Sequence, residues 1–388
     1  MSGKLTPDGA ALTSGLVGSA RIEDVACHAC SVPLPAPLQV GQMTVTHRTY
    51  DLVRIRTSDG LEGVSYAFSR GLPVARIVQD ALAPLLIDAD PLLPEVIRAR
   101  LGNAYWPYAE RGLFSVAASA VDLALWDLLG KRLGTPLADL LGRCRNDVPI
   151  CAVGGYARPG LDDIAALQQE MAMFVDLGCR AFKITVGAAE PVRDAERVAA
   201  VREVVGADST LVVDAFRSFR SLEDALRRLR LLEPFDLSYV EDPFTESLAP
   251  LVADLRRRTG MLIGLGENLA GHRAFRELIE SRAVDVVRCD ATVVGGVREL
   301  MATVALASAR GLEVSTHVHP DIHVHFGAAL SNLHPAGLEY VHPDSGLDAF
   351  HQLLGTQLEV RDGCAVVPAR PGLGLDVDWG AVGRYTRA

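Results

Sequence analysis

Two patterns of apolar and polar positions divide the chain. Residues 21–70 alternate apolar with polar positions, which predicts an antiparallel sheet, and the Ser-Asp-Gly turn at 58–60 indicates a hairpin within it. Residues 73–142 carry apolar side chains at helical spacing. Strands followed by helices predict a small α+β capping domain over 21–145, preceded by a flexible tail at 1–20.

From residue 148 onward, short apolar runs alternate with amphipathic segments of helical spacing. The strand-like runs are VPICAVGG (148–155), RAFKITVG (180–187), STLVVDAF (209–216), LSYVEDPF (237–244), LIGLGENL (262–269), VDVVRCDA (284–291), EVSTHVH (313–319) and LEYV (338–341). Repeated strand–helix units predict parallel strands with helices outside them. We therefore expect an α/β fold, a modified TIM barrel of the (β/α)7β type over 146–345. An open doubly wound sheet is the alternative, although Val153-Gly154-Gly155 is a weak match to its glycine-rich phosphate turn.

Length and composition narrow the classes of function. A chain of 388 residues is long enough for two domains, and its net charge of −10 argues against binding to nucleic acid. No run of about 20 apolar residues is apparent, so we expect no membrane span, and residues 1–20 lack the layout of a signal peptide. The seven scattered cysteines indicate reduced thiols and therefore a cytoplasmic location.

Ionisable residues end successive predicted strands. They are Lys183, Asp214, Glu241, Glu267, Asp290 and His317. A single acid at a strand end can simply cap the next helix. Six residues separated by about one strand–helix unit each are better explained by a barrel, because its carboxyl strand ends meet at one mouth. The spacing therefore predicts that all six line one pocket.

The three middle carboxylates predict a metal site. Asp214, Glu241 and Glu267 could not all stay ionised side by side without a cation. Ligands that are all oxygen favour Mg²⁺ or Mn²⁺ over Zn²⁺. Because side chains alternate along a strand, we expect Asp242 to point away from Glu241, into packing or an ion pair.

The remaining strand ends predict acid–base chemistry. Asp290 and His317 would lie on adjacent strands, where the carboxylate orients the imidazole and raises its basicity, as in a general base. Lys183, between Phe182 and Ile184, is expected to face the mouth and bind an anionic substrate. Burial lowers the pKa of a lysine, so a proton-transfer role is also open to it. A metal and a lysine together can stabilise the charge that develops when the α-proton of a carboxylate leaves.

At these residues the chain resembles the enolase superfamily, and within it the mandelate racemase subgroup of the mandelate racemase/muconate lactonizing enzyme family. The resemblance covers most of 21–388 and lies in the helical segment SVAASAVDLALWDLLGKRLGTPLADLLG and the strand ends VVDAF, VEDPF, GLGEN, CDATVVGGV and STH. It implies Mg²⁺ at the three carboxylates and a base dyad of Asp290 and His317. It also implies that a C-terminal segment at 346–388 packs back on the capping domain, whose loops at 33–46 and 64–72 close over the substrate.

Departures from the family pattern bear on the reaction. The second barrel strand commonly ends in Lys-x-Lys, but here it ends in Lys183-Ile184-Thr185, so the second base is missing. One strong base favours dehydration of a sugar acid to a 2-keto-3-deoxy acid, with racemisation, epimerisation or cycloisomerisation of a hydroxy acid as alternatives. Phe216 replaces an often polar residue, which leaves His317 to act as both base and acid, or His319 as the acid.

Other residues are candidates for substrate binding. Thr185 and Arg217 are expected beside the mouth, and on the eighth strand Glu339 and His342 both remain candidates. The segment HVHPDIHVH leaves open whether the histidines at 323 and 325 line the mouth, bind substrate or begin a helix. The expected partner is a small carboxylate, most simply a sugar acid, and we expect a homo-oligomer. Functions from other classes are a zinc amidohydrolase, using His-x-His at 317–319, or a barrel that binds without catalysis.

Overall fold

The computed structural model describes residues 20–40, 43–158, 163–187 and 190–387. The tail predicted at 1–20 therefore lies outside the described residues except for Ala20. A three-stranded antiparallel sheet opens the chain, in the order β1-β2-β3, and its strands are β1 (Ile22–Val40), β2 (Met43–Thr57) and β3 (Glu62–Phe68). The β2–β3 hairpin turns at the predicted Ser58-Asp59-Gly60.

Helices pack against this sheet and form the hydrophobic core of the capping domain with it. They are α1 (Val74–Ile77), α2 (Ala83–Leu86), α3 (Pro94–Ala104) and α4 (Gly112–Leu133), with a π-helical turn at Val78–Leu82. The short helix α5 (Leu137–Leu140) follows α4 and instead buries Leu137 and Ala138 in the core that includes the barrel. Val53 and Ile55 of the sheet are fully buried against Val121 and Ala124 of α4. Alternating apolar positions of the strands thus meet the apolar face of the longest helix, as the sequence predicted.

Eight parallel strands form a closed barrel. They are β4 (Asp147–Gly154), β5 (Ala181–Thr185), β6 (Thr210–Asp214), β7 (Tyr239–Glu241), β8 (Ile263–Leu265), β9 (Val286–Cys289), β10 (Glu313–Thr316) and β11 (Leu333–Tyr340). Pairing of β11 with β4 closes the ring. The helices between the strands are α6 (Asp163–Asp176), α7 (Pro191–Val205), α8 (Leu222–Leu232), α9 (Ala249–Arg258), α10 (His272–Glu280), α11 (Val297–Ser308) and α12 (Pro320–Ala329). The predicted (β/α)7β barrel is confirmed, although β11 begins before the predicted run LEYV.

The C-terminal residues return to the first domain. Short strands β12 (Leu354–Thr356) and β15 (Asp376–Val377) pair with each other, while β13 (Val360–Arg361) and β14 (Cys364–Val366) extend the sheet from β4. Helix α13 (Trp379–Tyr385) contacts β1. Asp127 of α4 accepts hydrogen bonds from the backbone N–H groups of Val64 at 2.8 Å and Leu373 at 2.7 Å. This buried carboxylate therefore joins α4 to the cap sheet and to the C-terminal segment.

Helix α4 also joins the capping domain to the barrel. Asp122 accepts from the N–H of Val297, at the start of α11, at 2.8 Å, and Ser119 accepts from the N–H of Gly295 at 2.9 Å. Gly296 has φ of +88°, and a Cβ there would lie 2.2 Å from the Asp122 carboxylate, so only glycine fits this contact. The loop that follows Asp290 is thus held directly against the cap helix.

By length and composition, α4 is long and apolar enough to cross a membrane. Among the described residues, one helix meets this criterion, and 61% of the 18-residue apolar stretch within it is buried inside the protein. Asp122, Asp127, Lys131 and Arg132 interrupt its apolar residues, so it is not the uninterrupted apolar run that was sought in the sequence. Its buried residues pack on the sheet and the barrel, which is the environment of a core helix.

Candidate active site

The predicted strand-end residues meet at the carboxyl end of the barrel. Asp214 on β6 and Glu241 on β7 are register partners, and Glu267 follows the end of the neighbouring strand β8. All three are buried. A cavity of about 850 Å³ opens above them toward the capping domain. From the barrel it is lined by Lys183, Asp214, Glu267, His317 and Glu339.

Positively charged groups lie between the carboxylates. Nζ of Lys183 donates to Glu241 Oε1 at 2.9 Å and to Glu339, and lies 3.9 Å from Asp214. Burial raises the pKa of both Asp214 and Glu241. Burial also acts to raise the pKa of Glu267, but the nearby charges of His317 and the basic side chains outweigh it and hold that pKa well below its usual range.

The donor set fits a divalent cation, although the side chains are not gathered around one point. Among the described residues, no group of three or more His, Cys, Asp or Glu side chains is arranged to hold a metal ion. Two observations nevertheless indicate room for positive charge. Glu241 Oε2 is buried without a hydrogen-bond partner within the described residues. The carboxylates of the cluster also outnumber its basic side chains, and they are Asp214, Glu241, Asp242, Glu267, Asp290 and Glu339 against Lys183, Arg217 and Arg288. An excess of buried negative charge is what a bound cation offsets.

The structure brings the predicted dyad together. His317 Nδ1 lies 2.9 Å from Asp290 Oδ2, and its Nε2 faces Glu267 Oε2 at 3.7 Å. The other oxygen of Asp290 accepts from the N–H and hydroxyl of Thr292, each at 2.7 Å. Burial acts to raise the pKa of Asp290, but the hydrogen bond from His317 and the neighbouring imidazoles lower it overall. A carboxylate held ionised in this way directs the His317 Nε2 toward the cavity.

The expected direction of the Lys183 pKa is wrong. Burial alone would lower that pKa, but the carboxylates of Glu241 and Glu339 outweigh it and raise the pKa well above its usual range. Glu339 is correspondingly ionised, because Arg288 and Lys183 overcome the effect of burial and lower its pKa to about 2. Lys183 is therefore a fixed positive charge at the base of the cavity.

Sequence reasoning missed Arg288. This guanidinium is completely buried, and its nitrogens lie 3.0 Å from Glu241 Oε1, 3.3 Å from Glu267 Oε2 and 2.7 Å from Glu339 Oε1. The sequence does contain a signal for it. An arginine inside the apolar run VDVVRCDA would be buried, and a buried charge needs oppositely charged partners. Because it is two residues before Asp290, strand alternation also places both on the same face.

The histidines after β10 have structural partners. His323 Nε2 accepts from the N–H of Ala291 at 2.9 Å, and its Nδ1 lies 2.7 Å from the carbonyl of Val318. His325 Nδ1 accepts from the N–H of Ala138 at 3.2 Å, and its Nε2 donates to the carbonyl of Leu373 at 3.0 Å. Each ring therefore carries a single proton, because one nitrogen must accept.

His319 lies in the cavity wall. Its ring packs edge-on against Tyr66, with centroids 5.1 Å apart, and lies 6.4 Å from the ring of His317. Burial lowers the pKa of His319 to about 3. A neutral imidazole near pH 7 is a poor store of the proton that a leaving group needs, so the structure disfavours the predicted role of His319 as the acid.

The other candidate binding residues occupy different places. Arg217 lines the cavity and contacts Asp242 Oδ2 at 3.0 Å and Glu267 Oε1 at 3.1 Å, so Asp242 forms the expected ion pair. The hydroxyl of Thr185 donates to the carbonyl of Gly155 at 2.8 Å. His342 lies outside the cavity lining, where its ring contacts Phe174 and Tyr340. Of the two candidates on the eighth strand, Glu339 is the one within the cluster.

Comparison with protein families gives two matches along the chain. Residues 23–142 match the mandelate racemase/muconate lactonizing enzyme N-terminal domain, and residues 166–381 match the enolase C-terminal domain-like family. Among relatives, the arabinonate dehydratase of Saccharolobus solfataricus is 31% identical over 338 residues, which are 85% of this chain and 89% of the relative. The L-talarate/galactarate dehydratase of Salmonella typhimurium is 31% identical over 366 residues, covering 92% and 88%.

Solved structures match the fold over nearly the whole chain. L-talarate dehydratase from Polaromonas, complexed with Mg and L-glucarate, has a TM-score of 0.85 and 31% identity, covering 95% of this chain and 98% of that protein. A racemase from Streptomyces coelicolor with bound magnesium has a TM-score of 0.85 and 31% identity, covering 94% and 100%. These relatives thus include both lyases and isomerases.

Proposed function

The chain belongs to the mandelate racemase/muconate lactonizing enzyme family of the enolase superfamily, and from this premise we propose that it removes the α-proton of a sugar acid in a Mg²⁺-dependent reaction. The observation that carries the proposal is the dyad. Its imidazole faces a cavity whose floor holds carboxylates and a lysine, with Asp290 fixed to the other ring nitrogen at 2.9 Å. Family membership also argues against the amidohydrolase alternative.

Asp214, Glu241 and Glu267 would hold the cation, and Lys183 would meet the substrate carboxylate beside it. When bound, the cation supplies Lewis-acid stabilisation of the negative charge that develops on that carboxylate. Lys183 adds a second, permanent positive charge, since two carboxylates keep its ammonium protonated. Both charges act where the negative charge grows, so they stabilise the transition state more than the bound substrate.

His317 Nε2 would take the α-proton. The C–H electron pair moves onto the substrate carboxylate and gives an enediolate. As the carboxylate forms again, its electrons make the double bond between the α- and β-carbons, and the C–O bond of the β-hydroxyl breaks. The leaving hydroxyl takes a proton from the His317 imidazolium and departs as water, and the remaining enol becomes the 2-keto-3-deoxy acid. Asp290 orients the ring and stabilises its charged form between these two proton transfers.

Dehydration is favoured over racemisation by the groups opposite His317. A racemase needs a base on each face of the substrate carbon. Here Thr185 replaces the second lysine and its hydroxyl is engaged with Gly155, while the ammonium of Lys183 is held by two carboxylates. Cycloisomerisation is the second candidate, because it also needs one base, and the 3,6-anhydro-α-L-galactonate cycloisomerase of Streptomyces coelicolor is 33% identical over 346 residues.

Proton exchange in D₂O tests this proposal. Sugar acids would be incubated with the protein and Mg²⁺, and ¹H NMR would follow the α-proton and the appearance of a 2-keto-3-deoxy product. For at least one acid we expect the α-proton signal to disappear and the 2-keto-3-deoxy product to form. EDTA should abolish this activity, and added Mg²⁺ should restore it. His317→Asn should lower the activity about 10²- to 10⁴-fold. His351→Asn, a histidine outside the cavity lining, is the matched control.

Two results would contradict the proposal in different ways. Exchange of the α-proton in both epimers at similar rates, without a keto product, would replace dehydration with two-base racemisation. If no acid shows either α-proton exchange or a 2-keto product in the presence of Mg²⁺, α-proton abstraction itself is contradicted.

A further inference from the structure

The side of the cavity formed by the capping domain is rich in positive charge. Arg48 within strand β2 and Arg70, two residues after the end of β3, line it together with His47 and with Arg387 from the C-terminal segment. The barrel side, in contrast, carries the carboxylate cluster. The two ends of the cavity therefore differ in the sign of their fixed charge.

Two of these arginines share one aromatic ring. The guanidinium carbon of Arg48 lies 5.3 Å from the centroid of Phe68, and that of Arg70 lies 5.4 Å from it. Arg48 Nε also donates to the carbonyl of Leu347 at 2.9 Å. Contact with an aromatic face holds a guanidinium in place while leaving its N–H groups directed outward.

Neither guanidinium has an acidic partner in the described part of the chain. No ion pair within 4.0 Å joins Arg48 or Arg70 to a carboxylate there. Asp348, an acid that also lines the cavity, instead accepts from the hydroxyl of Tyr50 and from the N–H of Phe350. The arginines thus present donors and charge to the cavity that its wall does not satisfy.

The arginines and the dyad face the same space. The ring of Phe68 lies 6.3 Å from that of His319, which lies 6.4 Å from that of His317. A ligand that places its α-carbon at His317 and its carboxylate at Lys183 would extend along this row of rings toward the arginines. The cavity, at about 850 Å³, falls within the range of pockets that enclose small ligands.

We propose that Arg48 and Arg70 bind a second carboxylate at the far end of the substrate, so that the substrate is a sugar diacid. This inference rests on the proposed function, which assigns the first carboxylate to the barrel end. Guanidinium and carboxylate form paired, charge-assisted hydrogen bonds, which a terminal hydroxymethyl group cannot match. The relatives do not decide this question, since their named substrates include arabinonate, a monoacid, and galactarate, a diacid.

Matched pairs of six-carbon sugar acids test the inference. In each pair the stereocentres are the same, and the far end is a carboxylate in one compound and a hydroxymethyl group in the other, as in galactarate and galactonate. The rate at which the α-proton is lost in the presence of Mg²⁺, by conversion to product or by exchange, gives kcat/KM for each acid. We expect the diacid to exceed its monoacid partner about 10- to 100-fold, the value of a hydrogen bond to a charged group.

Variants of the two arginines test whether these side chains cause the preference for diacids. Arg70→Met should lower the ratio of diacid to monoacid kcat/KM about 3- to 10-fold, and Arg48→Met should act similarly, so that the two contributions multiply to the full preference. Arg70 makes no hydrogen bond or ion pair within the described residues, so its replacement should not disturb folding. Arg76→Met, an exposed cap arginine paired with Asp80 at 2.9 Å, should leave the ratio unchanged.

The possible outcomes distinguish a failure of this inference from a failure of the proposed function. If monoacids exchange as fast as diacids, or if both arginine variants keep the wild-type ratio, the second carboxylate site is wrong while α-proton abstraction stands. If no acid of either class loses its α-proton, by product formation or by exchange, the proposed function fails and this inference fails with it.

Discussion

Arg288 supplies the counter-charge on which three carboxylates of the candidate active site depend. Its guanidinium reaches Glu241, Glu267 and Glu339 from inside the barrel, where all four side chains are buried. The fork of a guanidinium suits this position, because its nitrogens contact several oxygens in one plane, which an ammonium cannot do. Arg288 therefore orients the carboxylates as well as neutralising them.

Replacing Arg288 tests this role. Arg288→Met should lower the free energy of unfolding by about 3–5 kcal/mol, because it leaves buried carboxylates without their partner. Saturating Mg²⁺ should recover part of this loss, while Arg288→Lys should fall between the variant and wild type. Urea denaturation with and without Mg²⁺ measures all three. The exposed Arg310→Met is the control, with an expected change within about 0.5 kcal/mol. A loss below about 1 kcal/mol in Arg288→Met would show that other groups carry the counter-charge.

The placement of the strand-end residues at one mouth of the barrel could be predicted from the sequence, while their roles remain proposals. The acids at 214, 241 and 267 and the dyad were found because each ends an apolar run about one unit after the last. Arg288 could not be recognised by the same rule, because it lies inside strand β9 and not at its end. The pKa of Lys183 was wrong in direction, since burial was weighed without the carboxylates that only the folded barrel brings to it.

Strained turns follow the strands that carry the site. Phe216 and Arg217 after β6 have φ of 52° and 57°, and Val318 and His319 after β10 have φ of 38° and 48°. Left-handed backbone is unfavourable for these residues, for Val318 above all because it is β-branched. Each such turn needs compensating contacts. For Val318 these are its N–H donating to Glu339 at 2.9 Å and its carbonyl bound by His323.

His323 joins the ends of the two strands that carry the dyad. It binds Ala291, next to Asp290, and Val318, next to His317. His323→Phe loses both contacts, so we expect α-proton exchange to fall about 10- to 100-fold in kcat with little change in KM, because the dyad is displaced while the rest of the cavity remains. Stability should fall by about 1–3 kcal/mol. His323→Gln, which keeps a donor and an acceptor, should restore part of kcat. Equal activity of all three proteins would contradict a positioning role.

The order of strands and helices could be predicted from the sequence. The hydrogen-bond partners of the histidines on helix α12 could not. The spacing of apolar residues along the sequence identified all eight barrel strands and the antiparallel hairpin. The histidines at 323 and 325 stayed undecided because their partners are backbone groups of Ala291, Val318, Ala138 and Leu373. Three of these are far away in the chain, and no periodic pattern reports such contacts.

The capping domain, the barrel and the C-terminal segment meet at His325. This side chain of α12 is fully buried and binds Ala138 of α5 and Leu373 of the C-terminal segment. Burial lowers its pKa from 6.5 to about 4. The unfolded chain therefore binds this proton more readily than the folded one, so the contribution of His325 is complete above pH 6.5 and is lost as the pH falls toward 4.

A pH series of unfolding measurements tests this linkage. Replacing His325 with glutamine removes the titration while keeping a donor and an acceptor. Between pH 8 and pH 5, the wild type should lose about 2 kcal/mol of unfolding free energy relative to His325→Gln. Urea denaturation at several pH values gives the difference between the two proteins. A difference that stays constant over this range would mean that His325 accepts a proton in the folded state as easily as in the unfolded one.

Anomalous scattering from a crystal grown with Mn²⁺ tests the metal assignment most directly. Mn²⁺ accepts the same oxygen ligands as Mg²⁺ and can be located without ambiguity. We expect one strong peak in the cavity, bonded to a carboxylate oxygen of each of Asp214, Glu241 and Glu267, on the side that faces His317. A cavity with no peak there at saturating Mn²⁺, or a peak whose ligands exclude two of these three carboxylates, would contradict it.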